Sequence, residues 1–132
     1  MGKPITTTKG GICFAFPNVC LTPAPPGPDV PIPYPSIGQL NATEKTSADV
    51  NAGSKPVVTV ASEIKTTTGD AVGTGKGVIS GKVGGTVKFT KGSATVFANN
   101  NAIVRMGDPT EQNDGNAVGT VLGGFPKVLV GG

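Results

Sequence analysis

Apolar residues in this chain fall in short runs, each stopped by Gly, Pro or Asn, and no window repeats them at the i, i+3, i+4, i+7 spacing of an amphipathic helix. Short runs rich in Val, Ile and Thr between turn residues predict strands. The first is the stretch 11–16, Gly-Ile-Cys-Phe-Ala-Phe, ended by Pro17-Asn18. Residues 55–60 predict a strand after a Gly53-Ser54 turn, and residues 77–89 predict a hairpin turning at Gly84-Gly85. Residues 94–97 and 102–105 flank Asn99-Asn100-Asn101, a turn sequence that tolerates positive φ. Residues 127–130 predict a closing strand, and helix is confined to a turn or two near 41–50. The fold class that follows is all-β, a small body of short strands and tight Gly/Pro turns.

Between the first run and the body lies a proline-rich stretch, 23–38. Pro23, Pro25, Pro26, Pro28, Pro31, Pro33 and Pro35 fix φ and remove backbone donors, which excludes helix and central strand and makes polyproline II the default. Val30, Ile32, Tyr34 and Ile37 give it an apolar edge, so the reading is an ordered extended arm lying on the body. The 132 residues form a single domain, with a Cys/Pro-rich arm at 10–38 and a strand-rich body at 50–132. An internal echo runs through it. Residues 53–58, 100–104 and 124–130 each set a turn residue before a β-branched run, three units that would let one chain approximate threefold symmetry.

Composition narrows the choice of function. Gly at 21 positions and Pro at 12 would signal disorder with high net charge, but the net charge is +3 and β-branched residues recur to the end. The core is thin for this length, so stability leans on backbone ladders, a metal or a partner. Lysines are scattered and there is one Tyr, so neither the basic stripe nor the stacking platforms of a nucleic-acid groove are present. No stretch approaches the roughly 20 apolar residues of a membrane span, and the N-terminus lacks the apolar core of a secretory signal.

Catalytic parts are scarce. With no His, the commonest general base and zinc ligand is missing. Gly73-Thr74-Gly75-Lys76-Gly77 fits neither phosphate-loop nor dinucleotide spacing. These absences lead to the expectation that the protein is no enzyme. Cys13 and Cys20 read as buried thiols, with metal ligation as the alternative. The polar run 107–116 reads as a structured turn, with a calcium loop as the alternative. Arg105, the single Arg, ends an apolar strand beside Asp108, and a guanidinium there is suited to pin the loop.

Residues 11–25, Gly-Ile-Cys-Phe-Ala-Phe-Pro-Asn-Val-Cys-Leu-Thr-Pro-Ala-Pro, resemble the opening of the PAAR-like domain family. Pro31 to Ile37, the blocks 69–74 and 77–81, and the closing blocks 104–110 and 113–117 resemble its later segments, in family order. The resemblance implies a cone-shaped fold that caps the trimeric spike of a contractile injection system. In type VI secretion that spike is the valine-glycine-repeat (VgrG-like) protein. One copy is expected per trimer, sharpening a tip that touches the target membrane only transiently. It also implies synthesis in a bacterial cytoplasm and delivery outside or into a target cell. A toxin travelling with it is expected to be a separate polypeptide. Two other functions compete: an adaptor that docks an effector toxin or its chaperone, and a small hydrolase of cell wall or lipid. Relatives commonly hold a His where Gln112 stands and related cones bind zinc through His and Cys, so zinc is not expected here.

Overall fold

The computed structural model describes Gly2–Gly132, and its regular structure is strand throughout apart from a single 3-10 turn at Leu40–Ala42. The strands are β1 (Lys3–Ile5), β2 (Ile12–Thr22), β3 (Val30–Gln39), β4 (Asn51–Ala52), β5 (Lys55–Pro56), β6 (Glu63–Ile64) and β7 (Lys76–Gly77). They continue as β8 (Val87–Phe89), β9 (Phe97–Ala98), β10 (Asn101–Ala102), β11 (Pro109–Gln112), β12 (Ala117–Val121) and β13 (Phe125–Val130). The all-β expectation holds.

The main sheet runs β3-β2-β12-β11-β8-β6, with β7 also pairing with β2. The run 11–16 therefore does not stop at Pro17. A bulge between Ala15 and Asn18 absorbs the proline, and the strand continues to Thr22. The proline arm is likewise a strand rather than polyproline II. Pro31, Pro33 and Pro35 alternate, so on a pleated strand their missing N–H groups all fall on one side. Since β3 is an edge strand, that side can be the open one, and β3 pairs with β2 from Val30 to Gln39. Its apolar edge is split: Val30 and Ile32 are exposed, whereas Tyr34 and Ile37 are half-buried.

Residues 77–89 do not form a hairpin. Gly77 pairs with Cys20 on β2, while Val87 and Lys88 pair with Ile64 and Glu63 on β6. The chain between them folds back over Asp70, a buried carboxylate that needs donors. Both of its oxygens accept the Gly84 N–H at 3.1 Å, and one accepts from Asn18 Nδ2 at 2.8 Å.

Two apolar clusters hold the molecule. One joins the inner face of the main sheet (Cys13, Val87, Phe89, Val121) to Leu40, Val58, Ile64 and Val104. The second gathers Ile5, Ala52, Val57, Ala98, Ile103 and Val130, residues from both ends and the middle of the chain.

Candidate functional site

The second cluster lies within a ring of three strand segments, 4–8, 56–60 and 102–106. The Thr6 N–H donates to Val104 O at 3.1 Å, Val104 N–H to Val58 O at 2.9 Å, and Val58 N–H to Thr6 O at 2.9 Å. The cycle repeats two residues outward: Thr8 N–H to Pro56 O at 3.2 Å, Val60 N–H to Ala102 O at 3.0 Å, and Met106 N–H to Pro4 O at 2.9 Å. Within each cycle a segment donates to one neighbour and accepts from the other, and the sense reverses between the two cycles, so each segment pairs with both neighbours as in a threefold rotor made from one chain. Equivalent positions carry equivalent side chains: Ile5, Val57 and Ile103 are all buried.

Each segment has an outer strand. β4 pairs with β5, β9 with β10 and β13 with β1, placing Ala52, Ala98 and Val130 at equivalent buried positions. Asn51, Phe97 and Leu129 are equivalent and exposed. Two of these hairpins close through left-handed pairs, Gly53-Ser54 (φ 60° and 67°) and Asn99-Asn100 (φ 50° and 67°), the backbone of a type I′ turn. The third is assembled from segments distant in sequence, with Lys3 opposite Val130. The internal echo thus marks two arms correctly and misplaces the third. Residues 124–130 supply only its outer strand, and residues 3–8 supply the inner one.

Arg105 and Asp108 brace the arm built on β9 and β10. Both side chains are about 95% buried or more (5% and 3% exposed), and the fork is bidentate: Nε to Oδ2 at 3.1 Å and Nη2 to Oδ1 at 3.0 Å. Nη1 donates to Gly131 O at 3.2 Å, tying this arm to the one formed by β13. The Arg105 N–H donates to Asp108 Oδ2 at 2.8 Å, as the Thr59 N–H does to Ser62 Oγ at 3.1 Å in the arm built on β4 and β5. A buried ion pair and a neutral hydroxyl thus fill the same place in two arms.

Gln112 is buried against the start of the main sheet. Its Nε2 donates to Ser36 O at 2.8 Å and Cys13 O at 3.3 Å, and its Oε1 accepts from Thr110 Oγ1 at 2.9 Å. Burial pushes the Cys13 thiol up to about 12, and it pushes the Cys20 thiol up as well, helped by the nearby Asp70 charge. A thiolate is therefore disfavoured at both cysteines, and Gln112 spends its amide N–H groups on Cys13 O and Ser36 O and its Oε1 on the Thr110 hydroxyl. No three His, Cys, Asp or Glu residues cluster to hold a metal among the described residues. This donor set does not fit the zinc site of related cones.

Sequence reasoning missed a buried polar network beneath the glycine-rich segment. Asn18 Oδ1 accepts from Asn113 Nδ2 at 3.1 Å and Asn116 Nδ2 at 2.6 Å, while Asn116 Oδ1 accepts the N–H groups of Ile79 and Ser80. Gly77 is required there, because a Cβ would sit 2.4 Å from Asn116 Oδ1. The run 107–116 is accordingly not one loop: β11 occupies its middle, Asn113 and Asp114 turn it at positive φ, and its amides face inward. The only available signal was the density of Asn beside Gly, which also reads as ordinary turn chemistry.

The model of the toxin PAAR-like domain family matches residues 11–119. The DNase toxin Tse7 of Pseudomonas aeruginosa is 39% identical over 111 residues, covering 80% of this chain and 29% of Tse7. The chain thus spans under a third of that relative's length. No solved structure matches it. The expectation that the protein is no enzyme is overturned by this relative. A DNase toxin is an enzyme, so the scarcity of catalytic residues in one stretch does not describe the activity of proteins that contain it.

Proposed function

The chain belongs to the toxin PAAR-like domain family, and on that footing we propose that it caps the blunt end of a trimeric VgrG-like spike in a type VI or related injection system. The cyclic ladder through Thr6, Val58 and Val104 carries the reading. The end of a homotrimer presents three identical edges, and a single chain meets all three alike only if its own contact surface repeats three times. Asn51, Phe97 and Leu129 recur at the equivalent exposed position of the three arms, with Phe97 and Leu129 offering apolar contact. The buried fork and paired edges make the tip stiff, which suits a part that transmits force. A DNA-cleaving toxin, the activity in the name of Tse7, is the passenger this tip would serve.

Reconstitution with a trimeric VgrG-like spike tests the reading. Native mass measurement is expected to find one chain per trimer, and Phe97→Asp with Leu129→Asp should weaken capping about tenfold or more without lowering the melting temperature. Three chains per trimer, or capping indifferent to both substitutions, would refute it.

A further inference from the structure

The three corners of the ring are not alike. At the Val60 corner the side chain packs on the main core. At the corner where Met106 N–H meets Pro4 O, Met106 turns outward and a groove of about 570 Å³ opens between it, Leu122 and Phe125. Lys9 and Lys127 stand on its rim, and no Asp or Glu lines it. The Lys9 ammonium lies 5.6 Å from the Phe125 ring centre, within cation–π range.

Beside the groove runs β13, which pairs with β1 on one side and with no other strand among the described residues. Its counterparts β4 and β9 are two residues long, whereas β13 is six. It is the one arm long enough to template an added strand, and Pro126, Lys127 and Val128 on it, short of the capping residue Leu129, are exposed.

We propose that this corner docks an extended segment of a partner polypeptide in which apolar and acidic residues alternate. The segment adds to the free edge of β13, sets one apolar side chain between Met106, Leu122 and Phe125, and pairs its carboxylates with Lys9 and Lys127. Main-chain bonds along a sheet edge give affinity, and side-chain pockets give specificity. Unbalanced positive charge around an apolar floor selects an acidic strand and rejects a basic one. The groove breaks the threefold symmetry, so the cone takes one such segment while its base remains free for a trimer. This site goes beyond the capping role and does not depend on it.

Fluorescence anisotropy on the full chain tests it, using a labelled peptide of about ten residues that alternates Val or Leu with Glu, and the same peptide with Lys for Glu. The acidic peptide should bind, lose about fivefold or more in affinity between about 0.05 and 0.5 M salt, and lose binding when its alternate backbone amides are methylated. Lys9→Glu with Lys127→Glu should weaken it about tenfold and favour the basic peptide, with unchanged melting and unchanged spike capping; Lys9→Gln with Lys127→Gln should fall between. Equal binding of both peptides, indifference to amide methylation, or no binding overturns the proposal. So does tighter binding to phosphatidylglycerol vesicles than to peptide, or a dimer that buries Met106. Capping lost together with peptide binding also overturns it, because the corner would then belong to the spike face.

Discussion

Replacing Arg105 by Lys keeps the charge and discards the fork, isolating what the guanidinium geometry contributes. In the native arm three side-chain N–H groups reach three acceptors: both Asp108 oxygens and Gly131 O. An ammonium can meet one Asp108 oxygen but not Gly131 O as well, so a buried Asp108 oxygen loses its side-chain partner and the half-buried Gly131 O keeps only Ser93 Oγ. Partial relaxation leaves a cost of about 2–3 kcal/mol. Arg105→Met strands the Asp108 carboxylate and should cost about 3–5 kcal/mol. The arm built on β4 and β5 provides a control, since Ser62 caps the Thr59 N–H with no ion pair. Arg105→Thr with Asp108→Ser transplants that arrangement, removes both charges, and should recover stability to within about 1–2 kcal/mol of wild type. Urea titration reads the free energies, and the Lys variant should melt on the order of 10 °C lower. Arg105→Lys within about 0.5 kcal/mol of wild type, or a double variant weaker than Arg105→Met, would refute the account.

Two further outcomes are expected from the main sheet. Gln112→Glu turns an amide that donates to two carbonyls into a buried carboxylate facing them, and should cost about 3 kcal/mol or more, clearly more than Gln112→Ala in the same titration. The Cys13 thiol stays protonated when folded up to about 12, whereas in the unfolded chain it ionises near 9. The unfolded state therefore loses this proton first, and stability falls as pH rises above about 9, by at most about 1.4 kcal/mol per unit. Cys13→Ala should be less stable at neutral pH yet show a shallower decline between about pH 9 and 11, and identical slopes would mean the thiol is not desolvated.

Local chemistry was legible wherever one residue decides the backbone. Asn99-Asn100 and Gly53-Ser54 were readable as turns because few residue types accept positive φ. The proline arm was readable as extended and non-central, but its pairing with β2 was not. Alternation of Pro31, Pro33 and Pro35 permits an edge strand without demanding one, and only the partner strand settles the matter. The expected hairpin at 77–89 failed for a long-range reason. Asp70 and Asn116 supply acceptors for N–H groups of that segment, and those bonds outweigh the local preference of Gly84-Gly85 for a turn. The strands Lys76–Gly77 and Val87–Phe89 are too short to betray their partners.

The threefold base was half visible because its constraint acts on physical roles rather than on letters. Residues 50–62 and 96–108 correspond position by position, yet Gly-Ser answers Asn-Asn at the turn and Thr59 with Ser62 answers Arg105 with Asp108 at the brace. What must match is a left-handed pair, a small residue such as Ala52 or Ala98 facing in, and a β-branched residue such as Val57 or Ile103 on the axis. Many sequences satisfy that, so identity between the arms is free to decay while the ring persists. The third arm is hidden further, because its outer strand at 125–130 and its inner strand at 3–5 lie at opposite ends of the numbering. A search for contiguous repeats finds a Val-rich stretch at 124–130 and takes it for a whole unit. Only the hydrogen bonds of Thr6 to Val104 and of Val58 to Thr6 reveal that the rotor closes through residues 3–8. The feature that best supports a trimeric partner is thus carried by backbone pairing across the chain, a level at which side-chain periodicity carries no signal.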